Sequence, residues 1–236
     1  MPAKASGPPT GYETTLRWGG GVEWLVHPEE TMQRASQALA TDDGVYLVDP
    51  LDAPGVDELV GELGAVSGVV LLSIYHTRDA GLFARRHDVP VYVPAPVPDA
   101  EVPELAVPVE RLDVGATLGD YELLEVAAGT ALGAPWYEYA LWNGGTLRVG
   151  ESLGTAPYMR VGDERLGVML MRRLDPPTAL RGLEPERICS GHGRGLDEDA
   201  AAALETALDN APEDLPRALL HNGIDQVRTI LAALRS

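Results

Sequence analysis

The chain has 236 residues, 45% of them hydrophobic, enough for a packed core in one large domain or two small ones. Its 36 acidic residues against 18 basic ones give a net charge of -18, which sets it against nucleic acid phosphates and anionic lipid as partners. The single cysteine, Cys189, rules out an intrachain disulfide, and no apolar run is long enough to span a bilayer.

Residues 1–14 are rich in Pro, Gly and Ser and carry no apolar signal-peptide core, so a disordered N-terminus and a cytoplasmic location are expected. From residue 15 a single domain is expected. "TLRWGGGVEWLVHP" predicts a strand, a glycine turn and a second strand. "QALATDDGVYLVDP" repeats that logic, with a turn at Asp42-Asp43-Gly44 and an apolar strand ending in Asp49. Val56, Leu59, Val60 and Leu63 have helical spacing. "VVLLSIY" predicts a buried strand, "AGLFARRHD" a short helix, and "VPVYVPAPV" a strand that its prolines confine to an edge or a strand start.

The second half, from "ERLDVGATLGDYELLEVAAG" through "WYEYALWNGG" to "TLRVGESLG", predicts antiparallel strands joined by Gly-Asp and Asn-Gly-Gly turns. Helical patterns follow in "GVMLMRRL", "DEDAAAALETALDNA" and residues 214–234, with "LEPERICSGHG" as a strand and loop between. The last pattern carries an apolar stripe, Leu215, Leu219, Leu220, Ile224, Val227, Ile230 and Leu231. That stripe packs on its own domain or forms a homodimer contact.

Five short signatures in order over residues 33–196 resemble the metallo-β-lactamase superfamily. "GVYLVDP" resembles its early strand ending in aspartate, and "GVVLLSIYHTRDAG" the strand carrying a His-x-His-x-Asp-His metal turn. "VAAGTALGAPWYEYAL" resembles the middle Gly-His loop, "GGTLRVGESLG" the strand ending in Gly-Asp, and "RICSGHG" the late Gly-His-Gly turn. The resemblance implies an αββα sandwich: two mixed β-sheets with outer helices. It also implies zinc or iron held by loops along one edge, where the ion acidifies water.

Position by position, the ligands of that family are mostly missing. With Asp79 aligned to the motif aspartate, Tyr75, Thr77, Ala80 and Gly129 occupy the places of four histidines. What remains is a metal set of Asp79, His192 and Glu151, with His76 one residue out of register. Two carboxylates and an imidazole suit one zinc, iron or manganese ion. Each has another reading: Asp79 as a helix cap, His192 as a turn residue, Glu151 as one more acid, and His76 as a partner of Asp79. Arg78, Trp136 and Tyr137 are the candidate substrate-binding residues, or a neutraliser of local acids and sheet packing. Ser190 lies in no Gly-x-Ser-x-Gly elbow, and Cys189 ends a buried strand as an inert thiol.

Three functions are consistent with these residues. The leading one is a degenerate family member without a cofactor that binds a small molecule or a partner at the old active-site edge. The others are a mononuclear metal hydrolase using Asp79, Glu151 and His192, and a structural or oligomeric protein. The acidity, with Lys4 as the only lysine, fits a protein working in concentrated salt or a GC-rich genome that favours arginine.

Overall fold

Runs of β-forming residues over 13–48 make four antiparallel strands: β1 (Glu13–Trp18), β2 (Gly21–Leu25), β3 (Ala35–Thr41) and β4 (Gly44–Val48). Helices α1 (Val56–Gly61) and α2 (Ala80–His87) then serve as crossovers between β4, β5 (Val66–Val70) and β6 (Val91–Pro94). With β7 (Val109–Leu112), these later strands pair in parallel, so the seven-stranded sheet is mixed and follows chain order. The computed structural model describes residues 2–5, 7–131 and 133–220.

The second sheet holds β8 (Thr117–Leu118), β9 (Tyr121–Ala131), β10 (Ala134–Trp142) and β11 (Thr146–Val149) as antiparallel neighbours. A small ribbon of β12 (Leu153–Gly154) and β13 (Gly167–Val168) follows, and β14 (Arg187–Ser190) returns to pair in parallel with β11. The order is β14-β11-β10-β9-β8, again a mixed sheet.

Side-chain alternation along each strand sorts the core into layers. Leu47, Val69 and Leu71 of the first sheet, Leu123, Tyr139 and Leu141 of the second and Phe83 of α2 belong to one buried cluster. On the other face of the second sheet, Ala140, Leu147 and Ile188 pack against Leu204 and Leu208 of α3 (Ala200–Asn210). The layers therefore run helix, sheet, sheet, helix, the αββα sandwich expected from sequence.

A polar chain crosses between the sheets. Gln37 donates from Nε2 to Glu23 at 2.7 Å and accepts from Arg148 Nε, while Arg148 NH2 reaches Asp49 Oδ2 at 2.7 Å. All four residues are fully buried, which their mutual pairing and further bonds from Thr15, Leu72 N–H and His76 make tolerable.

One expectation differs from the structure. "GVMLMRRL" is no helix: β13 pairs with β12, and a single 3-10 turn at Leu170–Arg172 follows. Arg173 holds the segment there, bonding Glu164 and the Met159 carbonyl, a tertiary tie that helical periodicity does not report. At the N-terminus, residues 2–5 are held in place: Pro2 and Ala3 accept from Thr31 and Met32, and Ala5 donates to Glu30 at 2.8 Å. Of the final apolar stripe, residues 215–220 are helical with Leu219 and Leu220 exposed, and the remainder lies outside the described residues.

Candidate metal centre

The parallel register of β11 and β14 sets Val149 opposite Ser190. Residues two beyond each, Glu151 and His192, therefore leave the sheet at the same height. Gly191 N–H extends the ladder to the Gly150 carbonyl at 3.1 Å. In the first sheet, Val48 lies opposite Val70, which brings Asp49 beside the chain leaving β5. That chain turns over Ser73–His76, closed by His76 N–H on the Ser73 carbonyl at 3.0 Å. The turn brings His76 inward and sends the Tyr75 hydroxyl to the Pro135 carbonyl at 2.6 Å. All these groups sit beyond the C-terminal ends of parallel strands, where α/β sheets leave a crevice.

His76 Nε2 lies 3.3 Å from His192 Nε2, and the two Glu151 oxygens lie 2.6 Å from His76 Nε2 and 3.1 Å from His192 Nε2. The other ring nitrogens are committed elsewhere: His76 Nδ1 to Asp49 Oδ2 at 2.9 Å, His192 Nδ1 to the Met32 carbonyl at 3.0 Å. Both Nδ1 atoms face acceptors, which leaves both Nε2 atoms turned toward Glu151. Two nitrogens bound to one tetrahedral zinc at 2.0–2.1 Å are themselves about 3.3 Å apart. A His, His, Glu donor set suits zinc or iron, so the residues fit such an ion. Among the described residues, these three form the one convergent group of metal-ligand type.

The surroundings favour charge separation. Burial alone would raise the carboxyls of Glu151 and Asp49, but neighbouring cationic groups reverse this. His76 and His192 hold Glu151 well below the usual carboxylate range; His76, Arg148 and Arg78 lower Asp49. Burial lowers His192, against the pull of Glu151, and so favours its neutral, ligand-competent form. Gly191 is required by packing: a Cβ there would collide with the His76 ring and the Gly150 carbonyl. Asp49 and Arg78, both in contact with His76, and Gln33, next to Met32, all have positive φ.

Arg78 lies beside the cluster, its guanidinium donating to the carbonyls of Ala35, Asp49 (2.8 Å) and Gly191 (3.0 Å), with NH2 3.4 Å from His76 Nε2. Burial pushes its pKa down to about 10, still cationic at neutral pH. Behind Glu151, the buried carboxylate of Glu138 accepts from the backbone N–H groups of Glu151 (2.8 Å) and Ser152 (2.7 Å). It also accepts from the Ser152 hydroxyl and from the Trp136 indole at 3.2 Å. Glu138 thus anchors both the Glu151 loop and a wall of the cavity above it.

That cavity is about 440 Å³, within the range of small-molecule sites. The cluster forms part of its lining, with apolar walls that include Met32, Ile74, Trp136, Met169 and Met171. Of the residues expected from sequence, His76, Glu151, His192, Arg78 and Trp136 come together here. Asp79 stands apart: its carboxylate accepts the Asp52 N–H at 2.8 Å, and at the head of α2 it makes no side-chain capping bond. Tyr137 points the opposite way from Trp136, as neighbours on a strand do, and packs in the inter-sheet core. Of the family positions lacking histidine, Tyr75 packs against Trp136 with ring centroids 5.9 Å apart and Thr77 lines the cavity.

Asp49, Glu138 and Arg148 were not singled out as site residues from sequence. The signal was faint: single charged residues inside otherwise apolar strands, "VYLVD", "WYEYALW" and "TLRV".

No protein-family model matches the chain, and no curated protein does. Solved structures do. The metallo-β-lactamase FIM-1 from Pseudomonas aeruginosa in its mono-zinc form superposes with a TM-score of 0.60 at 15% identity, over 89% of this chain and 99% of that one. The metallo-β-lactamase DIM-1 gives 0.61 at 12% identity, over 88% and 99%. TTHA1623 in a di-iron-bound form gives 0.51 at 22% identity, over 70% and 90%. The chain has the metallo-β-lactamase fold.

Proposed function

We propose that this metallo-β-lactamase-fold chain is a hydrolase with a single metal ion, held by His76, Glu151 and His192. The observation that carries the reading is the pair of Nε2 atoms 3.3 Å apart, each with its Nδ1 bonded to an acceptor and both facing one carboxylate. When bound, a zinc or iron ion supplies Lewis acidity, polarising an acyl or phosphoryl oxygen and acidifying water. The chain's own residues do the rest. Asp49 fixes the His76 tautomer and is itself braced by Arg148. Glu138 fixes the loop that carries Glu151, Arg78 contributes fixed positive charge beside His76, and Trp136 walls the cavity against water. The titratable set is compact and buried, as suits chemistry at neutral pH.

A second reading is the metal-free one, in which the cavity binds a small molecule without hydrolysis. The 2.6 Å contact of His76 Nε2 with Glu151 favours it, being the length of a charge-assisted hydrogen bond that closes the cluster by itself. Metal content by plasma mass spectrometry on chain purified without chelator separates the two. About one zinc, iron or manganese per chain is expected, lost in His192→Ala while the circular dichroism spectrum persists. No retained metal after incubation with added ions, or unchanged content in His192→Ala, overturns the proposed centre.

A further inference from the structure

One cavity gathers the chain's single lysine and most of its methionines. Its only lysine, Lys4, lines the cavity, as do three of its five methionines, Met32, Met169 and Met171. Three basic residues, Lys4, Arg34 and Arg78, face the cavity against one carboxylate, Glu151, although acids outnumber bases two to one in the whole chain. Arg34 is neutralised by a two-pronged pair with Glu30 at 2.7 and 2.8 Å. The Arg78 guanidinium is held by main-chain carbonyls, so its charge is not cancelled by an acid in direct contact. Lys4 feels this environment: burial lowers its pKa, and Arg34 and Arg78 add to that against Glu151 and Glu30. An excess of positive groups in a low-dielectric wall focuses its field on an incoming anion. Methionines supply apolar walls that adapt to an unbranched, flexible chain.

We infer that the cavity takes a carboxylate carrying a flexible aliphatic arm, with the anion toward Lys4 and Arg78 and the arm along the methionine wall. This rests on the reading of the His76–Glu151–His192 cavity as the site of action, and names the chemical class that enters it. Lys4 is the specificity-determining cation. It belongs to the N-terminal segment that lies along residues 30–32, so its substitution leaves both sheets untouched.

The experiment is calorimetric titration of octanoate, 1-octanol and acetate into chelator-treated full-length chain and its Lys4→Met variant, with metal content measured on the untreated protein. Octanoate is expected to bind about tenfold or more tighter than 1-octanol, the scale of one charge-assisted contact, and about tenfold or more tighter than acetate, by burial of its alkyl arm. In Lys4→Met the advantage over 1-octanol should shrink, with the advantage over acetate kept. Octanoate no tighter than 1-octanol, or a preference that arises only after zinc loading and is indifferent to Lys4→Met, overturns the inference. In the latter case the ion alone captures the carboxylate. Octanoate preference in a chain that retains no metal overturns the metal-hydrolase reading and leaves this inference standing.

Discussion

Asp49 joins the cluster to the interior. Its carboxylate bonds His76 and the fully buried Arg148, so Asp49→Asn leaves Arg148 charged and unpaired inside the sandwich. Loss of one partner from a buried pair costs about 3–5 kcal/mol, which guanidinium denaturation at pH 7 should register. The Asp49 carboxyl is depressed below its ordinary 3.8. Its stabilisation is therefore complete above that value and disappears as pH falls through the lower, folded-state one. The gap between wild type and the Asp49→Asn variant should accordingly close in strong acid; a constant gap would contradict the pairing. Glu138 acts one step further out. Glu138→Ala should weaken metal binding about 10–100-fold, as loss of an outer partner does, whereas Leu141→Ala, an equally buried change on the same strand, should lower the melting temperature without moving metal affinity.

Elements bring the ligands together through register. Glu151 and His192 meet because β11 and β14 run parallel and in step, and both need a close approach at Gly191. Gly191→Ala is expected to cost about 1–3 kcal/mol by overpacking and, by displacing the His76 ring, to reduce retained metal in plasma mass spectrometry. A normal metal content in that variant would mean His76 is not a ligand. The turn over Ser73–His76 solves the mismatch between this chain and the family's spacing. A β-strand continued to His76 would put it on the face opposite Tyr75 by alternation alone, but the turn lets His76 reach inward although it stands one position off.

Charge is a property of the whole molecule. Apart from a few buried acids, the negative charge lies on the exterior while the cavity gathers basic groups, so bulk salt acts mainly on the outside. At 1 M salt the screening length is about 3 Å, short enough to remove repulsion between surface carboxylates. The thermal midpoint should rise between 0.1 and 2 M KCl, by about 2–4 °C for each kcal/mol of repulsion relieved. A falling midpoint would mean that surface ion pairs such as Arg194–Glu13 and Arg86–Asp52 outweigh the repulsion. Among the described residues no helix is long and apolar enough to cross a membrane.

Local pattern determined much of this protein: the alternating strands, the glycine turns, helices at 56–61, 80–87 and 200–210, and the order of motifs that points to the αββα sandwich. These follow from side-chain period and turn chemistry, which a linear sequence carries. The sequence also pointed to Glu151, His192, His76, Arg78 and Trp136, through their places in motifs that resemble those of the superfamily. Only the tertiary structure decided which of them share a space. Asp79 and Tyr137 look as suitable in one dimension, yet one turns to Asp52 and the other into the core. Asp49, Glu138 and Arg148 acquire their roles from partners up to 111 residues away, across strand pairings and between sheets. A buried charge is stable only where another chain segment meets it, and that meeting is fixed by packing of the whole molecule.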